Sequence, residues 1–181
     1  MIRKILIFVA IIFIVLTTTY VSKLLFFKPF SFNHFLTIQM VYDALESPEY
    51  LTYIGILEKY GYRSYNGKLS DYSLKKDLKD LKKLKKEYKI LNSYEDKYLS
   101  AEELTSKKIS LFQMRNEIDQ KTKYPYHSYP LIQMNGLHTQ ILEFMTDIHP
   151  IKDEKDAKYY LSRLEMIPIV FSQILEKMGK R

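Results

Sequence analysis

The chain has 181 residues, a formal net charge of +7 and no cysteine. A sequence without cysteine excludes disulfides, a thiol nucleophile and a thiolate metal site. Four basic residues flank one apolar stretch near the N-terminus, and the remaining 24 basic residues face 21 acidic ones, an excess too small to indicate nucleic-acid binding.

An uncharged stretch of eighteen residues, Ile5 to Ser22, directly follows Arg3 and Lys4. A stretch of this kind is typical of an export signal or of a membrane anchor. Its strictly apolar core, Ile5 to Leu16, is as short as the core of a signal peptide, but no small-residue cleavage site follows between Thr17 and Pro29. We therefore expect residues 5–22 to be an uncleaved membrane anchor, with a cleaved signal and secretion as the alternative.

The two basic residues before the stretch favour a cytoplasmic N-terminus. The rest of the chain is then expected to be exported, in a periplasmic or other extracytoplasmic location. Residues 1–29 are interpreted as the anchor or signal segment, and residues 30–181 as one helical domain of ordinary size.

Helix signals begin soon after the anchor. Asn33 is expected to cap a helix that runs to Leu45. The sequence Ser47-Pro48-Glu49 predicts a new helix start, because it supplies a capping hydroxyl, a proline at the first helical position and an acid in the first turn. This helix is expected to continue through Leu57, with Gly55 as a weak point inside it.

Residues Ser73 to Leu91 form the clearest amphipathic pattern, with apolar side chains stepping by threes and fours along one stripe. Eight lysines occupy the rest of the helix surface. We interpret them as a solvated face, and an anionic partner such as lipid headgroups is the alternative. The lysines are Lys75, Lys76, Lys79, Lys82, Lys83, Lys85, Lys86 and Lys89.

The second half of the chain is also helical in pattern. Ser100 to Glu103 is a capping box, and the helical pattern breaks between residues 121 and 130. A further helix is expected over residues 137–146. Asp153 is expected to cap the next helix, and Pro168 to start a separate last one. The sequence thus predicts an all-α protein, an N-terminal membrane helix followed by an antiparallel multi-helix domain.

Polar residues cluster around the start of the helix expected at 137, where Gln133, Asn135 and His138 could face a cleft. The alternative is that they satisfy backbone groups at a loop-to-helix junction. His138 and Glu143 lie five residues apart, on different helix faces, so they do not form a metal pair. The sequence therefore predicts no catalytic residue, no metal ligand and no cofactor.

A likeness to a known family rests on an ordered set of segments rather than on one motif. In chain order these are Ser47-Pro48-Glu49, a short loop at Gly61, Leu69 to Ser73, Leu99 to Glu103, Pro130 to His138 and Asp153 to Leu164. The set resembles the N-terminal part of a large bacterial family known only as a domain of unknown function, family number 885. The resemblance covers roughly residues 35 to 178.

This resemblance implies an exported, all-helical protein related to zinc metallopeptidases of the gluzincin kind. The family's metal motif, a His-Glu pair with a second histidine, lies in the C-terminal half of its members, and no such motif occurs before Arg181. The resemblance thus implies a non-catalytic, truncated homologue whose helices form one wall of a substrate groove. Arg163 then joins Gln133, Asn135 and His138 as a candidate groove or ligand contact.

Two other interpretations stay open. The chain could be one half of a split zinc peptidase that a second chain completes, because half a shared core leaves an apolar helix face exposed. The candidate partner contacts are Phe171, Ile174, Leu175 and Met178. Alternatively, the chain is a free-standing anchored helical module that binds a peptide or a lipid.

Overall fold

The computed structural model describes residues 2–26, 29, 31–127 and 129–180. Over those residues the regular structure consists of seven α-helices, a few shorter helical turns and no strand, which confirms the all-α prediction. The helices are α1 (Ile2–Phe26), α2 (Phe32–Glu46), α3 (Pro48–Ile54), α4 (Leu74–Asn92), α5 (Ala101–Lys123), α6 (Leu137–Glu143) and α7 (Glu154–Met178). Short 3₁₀ turns occur at Leu57–Tyr60, Ser64–Gly67 and Asp96–Tyr98, and a π-helical turn at Phe144–Ile148.

Helix α1 covers the uncharged N-terminal stretch, and its side chains from Leu6 to Val21 are exposed. The hydroxyls of Thr17 and Thr18 donate hydrogen bonds of 2.7–2.9 Å to carbonyls one turn earlier, so they are satisfied within the helix. Among the residues described, no helix meets the length and apolarity of a membrane span. The side chains of Arg3 and Lys4, from which the membrane orientation was predicted, are not among those that the structure describes.

Helix α2 begins earlier than its predicted cap. Ser31 is the N-cap, and its hydroxyl accepts a hydrogen bond from the backbone N–H of His34 at 3.2 Å. The cap prediction for Asn33 is therefore wrong, because the helix already starts where Phe32 is buried. The Asn33 amide instead donates to Glu103 Oε1 at 2.8 Å and links α2 to α5.

Helix α3 confirms its predicted start and corrects its predicted end. Ser47 Oγ accepts from the Tyr50 N–H at 3.3 Å, and Pro48 occupies the first turn. Gly55 is not inside the helix but ends it, with a left-handed φ of 58° that glycine adopts without strain. Leu57 consequently belongs to the following 3₁₀ turn.

Helices α4 and α5 pack against each other and follow one another through a short connection. Ser73 caps α4, and the capping box predicted at Ser100 and Glu103 is present at the start of α5. With α2, this pair encloses a first apolar cluster. Its buried members are Phe32, Phe35, Leu91 and Tyr94.

Helix α7 is continuous across Pro168, so the prediction that Pro168 starts a separate helix is wrong. Proline removes one backbone hydrogen bond and strains the preceding turn. Here the residue lies on the exposed side, whereas Arg163, Val170 and Ile174 on both sides of it are buried. Burial of one face along the whole length keeps the helix in a single piece.

A second apolar cluster joins α6 and α7. Its buried members are Leu69, Ile141, Phe144, Met145, Val170 and Ile174. Helix α6 passes into the π-helical turn, which ends where the His149 N–H bonds to the Phe144 carbonyl at 2.9 Å. This turn brings the His149 ring against α7.

Candidate functional site

The side chain of Arg163 is fully buried where the turn at Ser64–Gly67 packs between α7 and α3. Its Nε donates to the Lys68 carbonyl at 2.8 Å, and its Nη2 donates to Thr52 Oγ1 at 2.7 Å and to the Tyr65 carbonyl at 3.2 Å. Burial lowers the pKa of Arg163 to about 10, against the opposing charge of Glu49. The guanidinium is therefore still a cation at neutral pH, and it is bonded to neutral oxygens.

The ring of His149 completes this arrangement. Arg163 Nη1 lies 2.7 Å from His149 Nδ1. Because a guanidinium has only donors, Nδ1 must be the acceptor, which places the proton on Nε2. Nε2 faces the Asp156 carbonyl at 3.4 Å. Burial first, and then the charge of Arg163, hold the pKa of His149 below its usual value.

A chain of polar side chains leads outward from Thr52. Its hydroxyl lies 2.8 Å from Asn66 Oδ1, and the fully buried Asn66 donates its amide to Glu58 Oε1 at 2.8 Å. Lys152 Nζ donates to the other oxygen of Glu58 at 3.0 Å. Burial acts to raise the pKa of Glu58, but the bonds from Asn66 and Lys152 outweigh it and lower that pKa.

A second anchor point lies at the start of α7. Asp153 caps the helix by accepting from the Asp156 N–H at 2.9 Å. The buried carboxylate of Asp156 accepts from Arg63 Nη1 at 2.9 Å and from the Lys152 N–H at 3.1 Å, while Arg63 Nη2 reaches Asp153 at 2.6 Å. The backbone bond from Asp156, followed by Arg63, lowers the pKa of Asp153. The carboxylates of Asp153 and Asp156 are thus both engaged in hydrogen bonds and ion pairs that hold the start of α7.

These groups are arranged to hold helices together rather than to react. A general base or nucleophile needs a lone pair that faces substrate, whereas the Nδ1 of His149 and the hydroxyl of Thr52 face Arg163. The Tyr65 hydroxyl is the buried side-chain polar atom without a hydrogen-bond partner in the described part of the chain. No group of three or more potential ligands that could hold a metal ion is found among the described residues.

The candidate groove residues do not come together. Gln133 and Asn135 are exposed in the loop before α6, and His138 is exposed in the first turn of that helix, whereas Arg163 is buried inside the fold. Gln140, also in α6, donates from Nε2 to the Asn135 carbonyl at 3.0 Å, so a side chain at this loop-to-helix junction does bond to local backbone. A ligand contact for the three exposed residues stays a prediction.

The apolar stripe at the end of α7 is divided between inside and outside. Ile174 is 1% exposed and Phe171 packs against the same core, while Leu175 is 60% and Met178 39% exposed. The outward face of α7 also carries exposed Leu161 and Leu164. The residues that remain for a partner contact are therefore on the outer side of the helix.

The importance of His149 was not apparent from the sequence. Its partners are Arg163, fourteen residues later, and the Asp156 carbonyl. The π-helical turn that aims the ring has no sequence signature. The one local signal was the position of the histidine between a helix end and the Asp153 cap.

The fold and its buried cluster define a helical domain in which α7 is joined to α3 and its following turn by one arginine. A family model described as a bacterial protein of unknown function (DUF885) matches residues 48–181, which include every partner of Arg163 named above. The chain belongs to this family. No curated protein and no solved structure matches the chain.

Proposed function

We propose that the chain is a membrane-associated, non-catalytic helical module that resembles the front part of a zinc-peptidase-like protein. The observation that carries the non-catalytic part is the closed cluster around Arg163. His149 and Thr52 both accept from Arg163, and Asn66 is bonded to Thr52 and Glu58, so the polar atoms of these side chains are used for structure.

Membrane association is supported by the uncharged stretch at residues 5–22 and by the exposure of its apolar side chains from Leu6 to Leu16. Leaving that surface in water costs about 25 cal/mol for each Å² of apolar area. A bilayer removes this cost. With the basic residues on the cytoplasmic side, the helical domain lies outside the cytoplasm, and cleavage of the segment would release it.

Fractionation of cells that express the full chain tests the association. The chain is expected in the membrane pellet after an alkaline carbonate wash, and protease added to spheroplasts is expected to digest the helical domain. The double substitution Ile11→Lys and Phe13→Lys is expected to move the chain to the soluble fraction, since charge is costly in lipid. Wild-type chain in the soluble fraction would contradict membrane association.

Zinc content and peptide hydrolysis test the non-catalytic assignment. The purified full chain in neutral nanodiscs is expected to hold less than a tenth of an equivalent of zinc and to leave a mixed peptide library uncut. Stoichiometric zinc or hydrolysis by this chain alone would refute the assignment.

A second candidate is one half of a split zinc peptidase, and the exposed apolar face of α7 favours it. Leu161, Leu164 and Leu175 project outward along one side of the helix, as a surface for a second chain would require. Under this alternative, co-expression with a chain that carries a His-Glu-x-x-His helix yields zinc-dependent hydrolysis. Leu164→Asp with Leu175→Asp would then abolish the activity.

A further inference from the structure

A cavity of about 450 Å³ lies between α4, the end of α7 and the connection that follows α5. Cavities of about 300–1,000 Å³ are typical of small-molecule sites. Leu78 lines this cavity, and its side chain is 70% exposed, so the rest of the chain covers little of it. The apolar side chains of the wall include Leu74, Leu78, Leu81, Tyr126, Ile174 and Met178.

A second, open cavity of about 440 Å³, lined by residues of α4 alone, adjoins the first and shares Leu78 and Leu81 with it. The rest of its lining consists of four lysines. These are Lys82, Lys85, Lys86 and Lys89. The apolar cavity therefore continues along α4 into a strongly cationic one.

The four lysines of the second cavity form no ion pair among the described residues, unlike others on the same helix. Lys76 pairs with Asp80 and Glu46, and Lys83 pairs with Asp43. Lysines spaced three and four residues apart on one helix face repel each other, which destabilises the helix by a few tenths of a kcal/mol for each pair. An anion placed among them would remove this repulsion.

The opposite end of the apolar cavity is neutralised. Lys177 pairs with Asp77 at 2.5 Å, Lys121 with Glu117 at 2.8 Å, and Lys180 with Glu176 at 3.8 Å. The lysines without an acidic partner are therefore concentrated in the second cavity. This asymmetry gives the two cavities together an apolar end and a cationic end.

We propose that the two cavities form one binding site for a single-chain anionic lipid. The acyl chain occupies the apolar cavity, and the headgroup lies among the four lysines. Leu81 and Lys89 are eight residues apart, or about 12 Å along a helix, which leaves room for a headgroup beyond the chain. The site is independent of the membrane segment, so it does not rest on the function proposed above.

Photocrosslinking on the full chain in neutral phosphatidylcholine nanodiscs tests this site. The probe is palmitic acid with a diazirine in its chain, and mass spectrometry of peptides locates the label. Label is expected on α4, on Pro125, Tyr126 and Pro130, and on the end of α7. Leu78→Asp is expected to reduce it at least tenfold, whereas Leu142→Asp, on a leucine of similar exposure that lines neither cavity, leaves it unchanged.

The contribution of charge is tested separately. Lys85→Glu with Lys86→Glu is expected to reduce the label at least fivefold. Lys75→Glu with Lys108→Glu makes the same change in net charge at exposed lysines outside both cavities and is expected to have no effect. The matching diazirine hexadecanol, which has no charge, is expected to label at least fivefold less than the acid.

Three outcomes would overturn the proposal. One is equal labelling by the alcohol and the acid, and another is label spread over α1 and the outer face of α7 regardless of Leu78→Asp. The third is lysine-dependent binding to anionic vesicles without label in the cavity, which would identify a bilayer surface as the occupant. Thermal unfolding followed by circular dichroism confirms that each variant is folded.

Discussion

Arg163 Nη1 donates to His149 Nδ1 at 2.7 Å, a contact that exists only while the imidazole is neutral. Protonation of Nδ1 would bring two hydrogen-bond donors, and two positive charges, next to each other inside the fold. Burial and the charge of Arg163 lower the pKa of His149 for this reason. The contact makes the fold sensitive to acid.

The first prediction concerns the pH dependence of stability. Because the folded-state pKa of His149 lies below its unfolded value of about 6.5, the unfolded chain binds the proton first as pH falls. Stability is therefore full above about pH 6.5 and falls below it. The Tm of the full chain is expected to drop between pH 7 and pH 5.

Two variants isolate the histidine. His149→Asn keeps an acceptor for Arg163 but does not titrate, so it is expected to flatten the fall in Tm. The matched variant His127→Asn changes an exposed side chain and is expected to retain the fall. A wild-type Tm that is constant from pH 8 to pH 5 would contradict this account.

The second prediction concerns Arg163 itself. Arg163→Met leaves the Lys68 and Tyr65 carbonyls without their donor, and each buried unsatisfied group costs about 1–3 kcal/mol. A loss of at least about 3 kcal/mol in unfolding free energy is expected in urea titrations. Arg163→Lys is expected to lower the unfolding free energy by nearly as much, because an ammonium cannot reproduce the planar fork of donors.

The exposed Arg115 supplies the matched control for this experiment. Arg115→Met is expected to change the unfolding free energy by less than about 0.5 kcal/mol. If the two methionine variants had equal stability, the buried cluster would have no structural importance.

The third prediction concerns Gly67, where the turn approaches α7 closely. A Cβ at this position would lie 2.9 Å from Cδ1 of Tyr159 and 3.7 Å from Cβ of Ser162. Gly67→Ala is expected to cost about 1–3 kcal/mol through overpacking, as measured by urea unfolding. Gly179→Ala, where the nearest atom to a Cβ would be the Leu175 carbonyl oxygen at 3.4 Å, is expected to be neutral. Equal effects of the two substitutions would contradict the close approach.

The fourth prediction concerns the carboxylate of Glu49. Glu49 accepts from the Ser70 N–H at 2.8 Å and from the Ser70 hydroxyl at 2.6 Å, so it ties the start of α3 to the segment before α4. Glu49→Ala is expected to cost about 1.5–3 kcal/mol. Glu102→Ala removes another first-turn acid, which is exposed, and is expected to cost under about 1 kcal/mol. Similar costs for the two would exclude a role for Ser70.

The elements predicted well from the sequence are those whose signals are local. The caps at Ser47 and Ser100 were predictable because each hydroxyl bonds to a backbone N–H three residues later. The break after α5 and the all-helical class followed from periodicity in the same way. Such signals need no knowledge of the rest of the fold.

The errors have a different cause. At Pro168, packing of α7 on the second apolar cluster outweighed a local signal to start a new helix. The periodic stripe that includes Ile174 and Leu175 identified apolar positions but not which side of the helix would be covered. The role of Arg163 was unpredictable because all of its acceptors except His149 lie about one hundred residues earlier in the chain.

The distance in sequence between Arg163 and those acceptors has a consequence for biogenesis. The Thr52 hydroxyl lies 111 residues, and the Lys68 carbonyl 95 residues, before Arg163, which donates hydrogen bonds to both. During translation these acceptors have no donor from Arg163 until α7 has left the ribosome. Contacts of such long range slow folding, so the cluster around Arg163 is expected to form late in the folding of the chain.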